Sequence, residues 1–266
     1  MPTLRVDGLA VEYRQDGHGP DILLLHSLLT EMSVFDPVVP RLTGRHRVTR
    51  FNLPGFGASS PVALHTVAQH AGHVARVLDA LSLPPTIDVF GNGFGAFVAV
   101  ELTIGYGPRI GRLMVADAAS AFPEAGKVPF RVMAEKVRAE GMRAILDSAI
   151  ARMFPEPFQA AHPDVVAARR AALAPTDAEC FASACLALAT LDLGPRLRDI
   201  RNPTLVICGA LDQTTPPALA REVASAIPGA IYREIEGSGH CPMLEQPDAL
   251  VSMIESFASG SGTHHG

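Results

Sequence analysis

Residues 89–97 read VFGNGFGAF. An apolar run enters a glycine-rich tight turn, and an apolar segment of helical character leaves it, the local outline of strand, turn and helix. Gly91 and Gly95 hold the outer positions of G-x-S-x-G, a turn that presents a nucleophilic serine at its apex. The apex here is residue 93, and residue 93 is glycine. Either a nucleophile has been lost from its scaffold, or the scaffold does different work.

On both sides of this turn, strand and helix patterns alternate. TLRVDGLAVEYR (3–14) is two alternating runs joined by Asp7-Gly8, a hairpin signal. DILLLH (21–26), HRVTRFN (46–52), TIDVF (86–90) and RLMVAD (112–117) read as strands, the first a continuous apolar run with polar ends, as for a strand covered on both faces. Helical spacing marks SVFDPVVPRL (33–42), residues 64–82 up to Pro84-Pro85, and FGAFVAVELTIGY (94–106). From Phe122 to Leu193 strand signals vanish and helical spacing persists. PTLVICG (203–209) and AIYREIEG (230–237) then return as strands, with a helix between them and another over 245–258. These patterns predict an α/β fold: a mostly parallel eight-stranded sheet flanked by helices, with a helical cap inserted after the sixth strand. The expected organisation is a core of 1–121 and 194–258, a cap of 122–193, and a low-complexity tail, 259–266, expected to be disordered.

The 266 residues suffice for one large α/β domain. Hydrophobic residues at 48% and charged residues at 18% argue for an ordered globular chain. A net charge of −5 with scattered Lys and Arg points away from nucleic acid. No apolar run approaches the roughly 20 residues of a membrane span, and the start carries no secretory pattern. Cys180, Cys185, Cys208 and Cys241 show no C-x-x-C spacing, so a reduced, cytoplasmic setting is expected. No phosphate loop, metal cluster or flavin signature is visible, and no cofactor is expected. A small carbonyl compound is the expected partner; a homodimer is compatible with the sequence.

The chain resembles the α/β-hydrolase family over nearly its whole length, on four segments in the family's order. LLLHSLL (23–29) resembles the strand and loop that furnish half of the oxyanion hole. NLPGFGAS (52–59) resembles the D-x-x-G-x-G-x-S loop, with Asn52 in place of the acid. GNGFGA (91–96) is the elbow, while GALDQTTPP (209–217) and GSGHCPMLEQP (237–247) match the places of the acid and the histidine. HSLLTEMSVFDPVVPRL (26–42) is similar to 3-oxoadipate enol-lactonases, and G-N-x-F-G to those and to hydrolases that cleave C–C bonds.

The resemblance implies His240 as general base and Asp212 as the acid that fixes its tautomer. Taken singly, each has a plainer reading, a surface histidine and a helix-capping aspartate. Asp117, at the end of the sixth strand, ranks below Asp212 as the acid. The implied oxyanion donors are the backbone N–H groups of Leu28 and Phe94, which need no particular side chain. His26 is expected to brace its loop. Ser27, Asn92, Met133 and Phe154 are the candidate substrate contacts, although Ser27 has an equal claim to a structural role and core packing is the default for the cap residues. Arg131, Arg138 and Arg152 are candidates to meet a substrate carboxylate, against the plainer reading of exposed helix faces. Cys241 is expected to pack, and His65, His70 and His73 to lie on a solvated helix face.

Gly93 tolerates a strained elbow backbone that would cost serine about 1–3 kcal/mol, but it removes the hydroxyl. An acyl-enzyme at residue 93 is therefore impossible. Three readings follow: hydrolysis of an ester, an (enol-)lactone or an activated C–C bond by a His240-activated water held in the vacated space; a binding protein for a small carbonyl compound; or a laboratory Ser-to-Gly exchange.

Overall fold

The computed structural model describes residues 2–260. Eight strands form one sheet: β1 (Thr3–Val6), β2 (Leu9–Asp16), β3 (Asp21–Leu25), β4 (Arg47–Phe51), β5 (Ile87–Asn92), β6 (Ile110–Ala116), β7 (Thr204–Gly209) and β8 (Ile231–Ile235). Their order is β1-β2-β4-β3-β5-β6-β7-β8. β1 and β2 pair antiparallel, as do β2 and β4, and every other neighbouring pair is parallel. Asp7 (φ 50°) and Gly8 (φ 82°) make the tight turn between β1 and β2 that their sequence predicts. Strands β3, β5 and β7 are buried at every residue, because helices cover both faces of the sheet.

The elbow follows from two close approaches. A Cβ on Gly91 would stand 2.5 Å from the backbone carbon of Gly95, and one on Gly95 would stand 2.5 Å from that of Leu25. Only glycine lets β5, the turn and the helix Phe94–Tyr106 pack this tightly. Gly93 itself takes φ 52° and ψ −115°, a backbone that side chains disfavour.

Between β6 and β7 lie the helices Glu124–Glu140, Leu146–Met153, Glu156–Ala161, Pro163–Leu173 and Ala178–Ala189. The two ends of this insert are joined by a bridge between Ala121 and Asp192. SVFDPVVPRL is less helical than its spacing predicts, giving only the short turns Met32–Phe35 and Val39–Leu42, since Pro37 and Pro40 remove backbone donors. Residues 64–82 give the helix Val67–Ala80, started by a Thr66–Gln69 capping box. Ser259 and Gly260 turn out of the final helix; the rest of the expected disordered tail, 261–266, lies outside the described residues. No single described helix is long and apolar enough to cross a membrane.

The expectation of a solvated histidine face needs correction. His65 is exposed, but His70 and His73 are buried, and the His70 ring stands edge-on to Phe94 with centroids 4.8 Å apart. Their spacing does place both on one face of the helix; that face is the inward one.

Candidate active site

The register of the central strands brings the site together. Leu25 pairs with Gly91 across β3 and β5, so the chain two residues further sets Ser27 opposite Gly93. The loops after β6, β7 and β8 emerge beside them, at the carboxyl edge where the strand order reverses.

His240 Nδ1 lies 2.8 Å from Asp212 Oδ2, and both side chains are buried. Asp212 Oδ2 also accepts from Thr215 Oγ1 at 2.7 Å, and Oδ1 accepts the N–H groups of Thr214 and Thr215 at 2.7 and 3.1 Å. Asp212 therefore caps a local turn rather than the following helix, whose N-cap is Pro216. Burial pushes the Asp212 carboxyl up, but the His240 charge and these hydrogen bonds overcome it and hold the pKa at about 2. Burial likewise pulls His240 down, yet the Asp212 carboxylate outweighs it and leaves the imidazole above its ordinary value. With Nδ1 turned to the carboxylate, Nε2 is the nitrogen that faces the elbow. It lies 2.8 Å from the position a Cβ on residue 93 would occupy.

Asp117 sits deeper. Its Oδ1 accepts from the Gly209 N–H at 2.9 Å and its Oδ2 from Asn92 Nδ2 at 2.7 Å. Burial, and then the charge of Asp212, pushes its carboxyl well above its ordinary value. Asp117, Asp212 and His240 stand close enough to share a metal ion, but the hydrogen bonds just described already engage these atoms. Asn92 departs from its expected role as a substrate contact. It is fully buried, and its amide ties Asp117 to the His240 carbonyl at 3.1 Å, away from the cavity.

A tight pocket opens over Gly93, lined by Ser27, Leu28, Phe94, Met133, Arg152 and His240 among others. Phe154 does not line it; that ring stacks on Phe158, and Phe154 borders a second hollow that shares Arg152 and His240 with the first. The wall is instead completed by Phe97, Phe122, Phe130 and Leu188, whose apolar spacing in the sequence is indistinguishable from core. Thr215 was also missed, although D-x-T-T is a readable turn signal. Of the three candidate arginines, Arg131 pairs with Glu124 and Arg138 with Glu179, while Arg152 faces the cavity with its guanidinium 5.8 Å over the Phe130 ring.

Within the described residues, no acceptor takes the N–H of Leu28 or of Phe94, the latter an orphan donor at a helix N-terminus. His26 braces the loop as expected. Its Nε2 accepts the Leu53 N–H at 3.0 Å, which leaves Nδ1–H to donate to the Ser27 carbonyl at 2.8 Å. Asn52 accepts from the Met32 N–H and donates to Glu12, so the carboxylate missing from this loop is supplied by β2. Cys241 is buried, and burial raises its thiol, as expected of a packing residue.

A doubly covered, mostly parallel sheet with an Asp–His pair beside a strand-to-helix elbow defines the α/β-hydrolase class of scaffold. A family model described as the alpha/beta hydrolase family matches residues 22–253, and the chain belongs to that family. It is 30% identical to 3-oxoadipate enol-lactonase 2 of Acinetobacter baylyi, over 96% of this chain and 95% of that one. Among solved structures, it superposes on the enol-lactonase from Burkholderia xenovorans LB400 with a TM-score of 0.91 and 33% identity, covering 97% of this chain and 100% of that one. A thermophilic esterase from Thermogutta terrifontis, solved with malate bound, gives a TM-score of 0.91 at 26% identity over 99% and 100%.

Proposed function

We propose that the protein hydrolyses a small carboxylic ester or (enol-)lactone, with His240 as general base, Asp212 holding its tautomer, and the Leu28 and Phe94 N–H groups receiving the oxyanion. Gly93 contributes no nucleophile. The water oxygen that ends in the product is deprotonated by His240 Nε2. The observation that carries this reading is the Asp212–His240 pair, whose other ring nitrogen lies 2.8 Å from where a Cβ on residue 93 would stand. The pocket's apolar wall with one facing arginine suits an acyl compound bearing a carboxylate. The names of the enol-lactonase and esterase relatives support the same class.

The test is turnover of p-nitrophenyl esters and enol-lactones by the chain as it stands, by His240→Ala and by Gly93→Ser. Slow turnover that falls about 10²–10⁴-fold in His240→Ala is expected. Absence of turnover in all three, with a ligand-dependent thermal shift, would overturn it in favour of a binding protein. Fast turnover by Gly93→Ser alone would mark the glycine as the disabling change.

A further inference from the structure

The space vacated at residue 93 is not simply empty. A Cβ built on Gly93 overlaps Ser27 Oγ, stands 3.1 Å from Ser27 Cβ and lies 2.8 Å from His240 Nε2. The Ser27 hydroxyl and the imidazole thus flank the same point, the place where a residue-93 side chain would begin. The strand register that pairs Leu25 with Gly91 puts it there.

Three further observations single out this hydroxyl. The Ser27 backbone is held on both sides: its N–H donates to Thr30 Oγ1 at 3.1 Å, and its carbonyl accepts from His26 Nδ1 at 2.8 Å. The side chain is aimed by that frame, yet among the described residues nothing hydrogen-bonds its Oγ, which lines the cavity beside His240. Finally, Leu28 N–H stands to Ser27 as Phe94 N–H stands to residue 93, the amide that follows a nucleophile and receives the oxyanion formed by its attack.

We infer that Ser27 is the nucleophile, displaced from the elbow to the neighbouring loop and served by the same base and the same oxyanion donors. Ser27 Oγ attacks the carbonyl carbon as its proton passes to His240 Nε2, and the carbonyl electron pair moves to oxygen. Collapse breaks the acyl C–O bond, and Nε2–H protonates the departing alkoxide or enolate, leaving an ester on Ser27. Water, deprotonated by Nε2, then attacks that ester. The acid departs and Ser27 Oγ regains its proton, so that ester and water have become acid and alcohol. This step rests on the proposed hydrolysis, and Gly93 has a reason within it: any side chain there would collide with the hydroxyl that does the work.

The test uses the full chain with a fluorophosphonate probe, intact-mass and peptide mapping, alongside p-nitrophenyl ester turnover. A single adduct mapped to Ser27 is expected, absent in Ser27→Ala and slowed in His240→Ala, with turnover at least about 10²-fold lower in Ser27→Ala. Ser27→Cys, read by acylation of the new thiol, keeps the test decisive should the alanine variant fold poorly. Adduct at Ser27 without ester turnover would sink the hydrolysis while leaving the nucleophile in place. Turnover that persists in a folded Ser27→Ala, or an unlabelled Ser27 in an active chain, would overturn the inference and leave a direct attack by water.

Discussion

Three residues, Gly93, Asp212 and His240, mark the candidate site, and the sequence yields their identities because each sits in a recognisable turn. Their pH behaviour depends on contacts. His240 must be neutral to accept a proton and its pKa is raised, so the rate should climb with pH through an inflection above 6.5, the ordinary imidazole value. Asp212→Asn should move that inflection down and lower the rate about 10²–10⁴-fold, read from a pH–rate profile of both forms. Arg152 has a cavity-facing charge without a carboxylate partner among the described residues. Arg152→Gln should raise KM for carboxylate-bearing substrates about tenfold or more, with p-nitrophenyl acetate unaffected. Gly93→Ala forces a side chain into φ 52° and onto Ser27, and should cost about 1–3 kcal/mol in thermal or denaturant unfolding. The swap of Asn92 from substrate contact to brace for Asp117 was not legible, since a turn motif does not say which way its polar side chain faces.

At the scale of elements, periodicity located the helices but misread one face. The helix Val67–Ala80 turns His70 and His73 inward against the elbow helix, where burial lowers their pKa values to about 3 and about 4. Histidines depressed in the folded state stabilise it fully above the unfolded value near 6.5, and that stability drains away as pH falls toward 4 and then 3. Each tenfold loss of proton affinity on folding corresponds to about 1.4 kcal/mol. Between pH 7 and pH 4 the melting temperature should drop by on the order of 10 °C, measured by circular dichroism. The double variant His70→Gln/His73→Gln, neutral throughout, should flatten that slope; an unchanged slope would show the imidazoles are not its source. Sequence missed this burial because two histidines at helical spacing look alike on a wet face and a packed one.

Across the whole molecule, the inserted helices are tied to the sheet by contacts between residues far apart in the chain. Arg169 reaches Glu31 at 3.2 Å and Ser33 at 2.9 Å, the Asp177 N–H meets the Gly55 carbonyl at 2.8 Å, and the His240 N–H meets the Met153 carbonyl at 3.2 Å. The Arg169–Glu31 pair is nearly dry, with side chains 12% and 11% exposed. Arg169→Ala should therefore remove about 1–3 kcal/mol from the unfolding free energy and speed hydrogen exchange across 163–189. The sequence by itself determined the alternation of strands and helices, the insert between β6 and β7, and the loops bearing Asp212 and His240. Those features follow from local backbone preferences and from side-chain period, both of which a linear string records. Only the tertiary structure decided that Asp212 rather than Asp117 holds the imidazole, that Arg152 alone of the three cap arginines faces the cavity, and that the Ser27 hydroxyl fills the place beside Gly93. Those depend on strand order and register, which set which loops converge, and no local preference encodes that convergence.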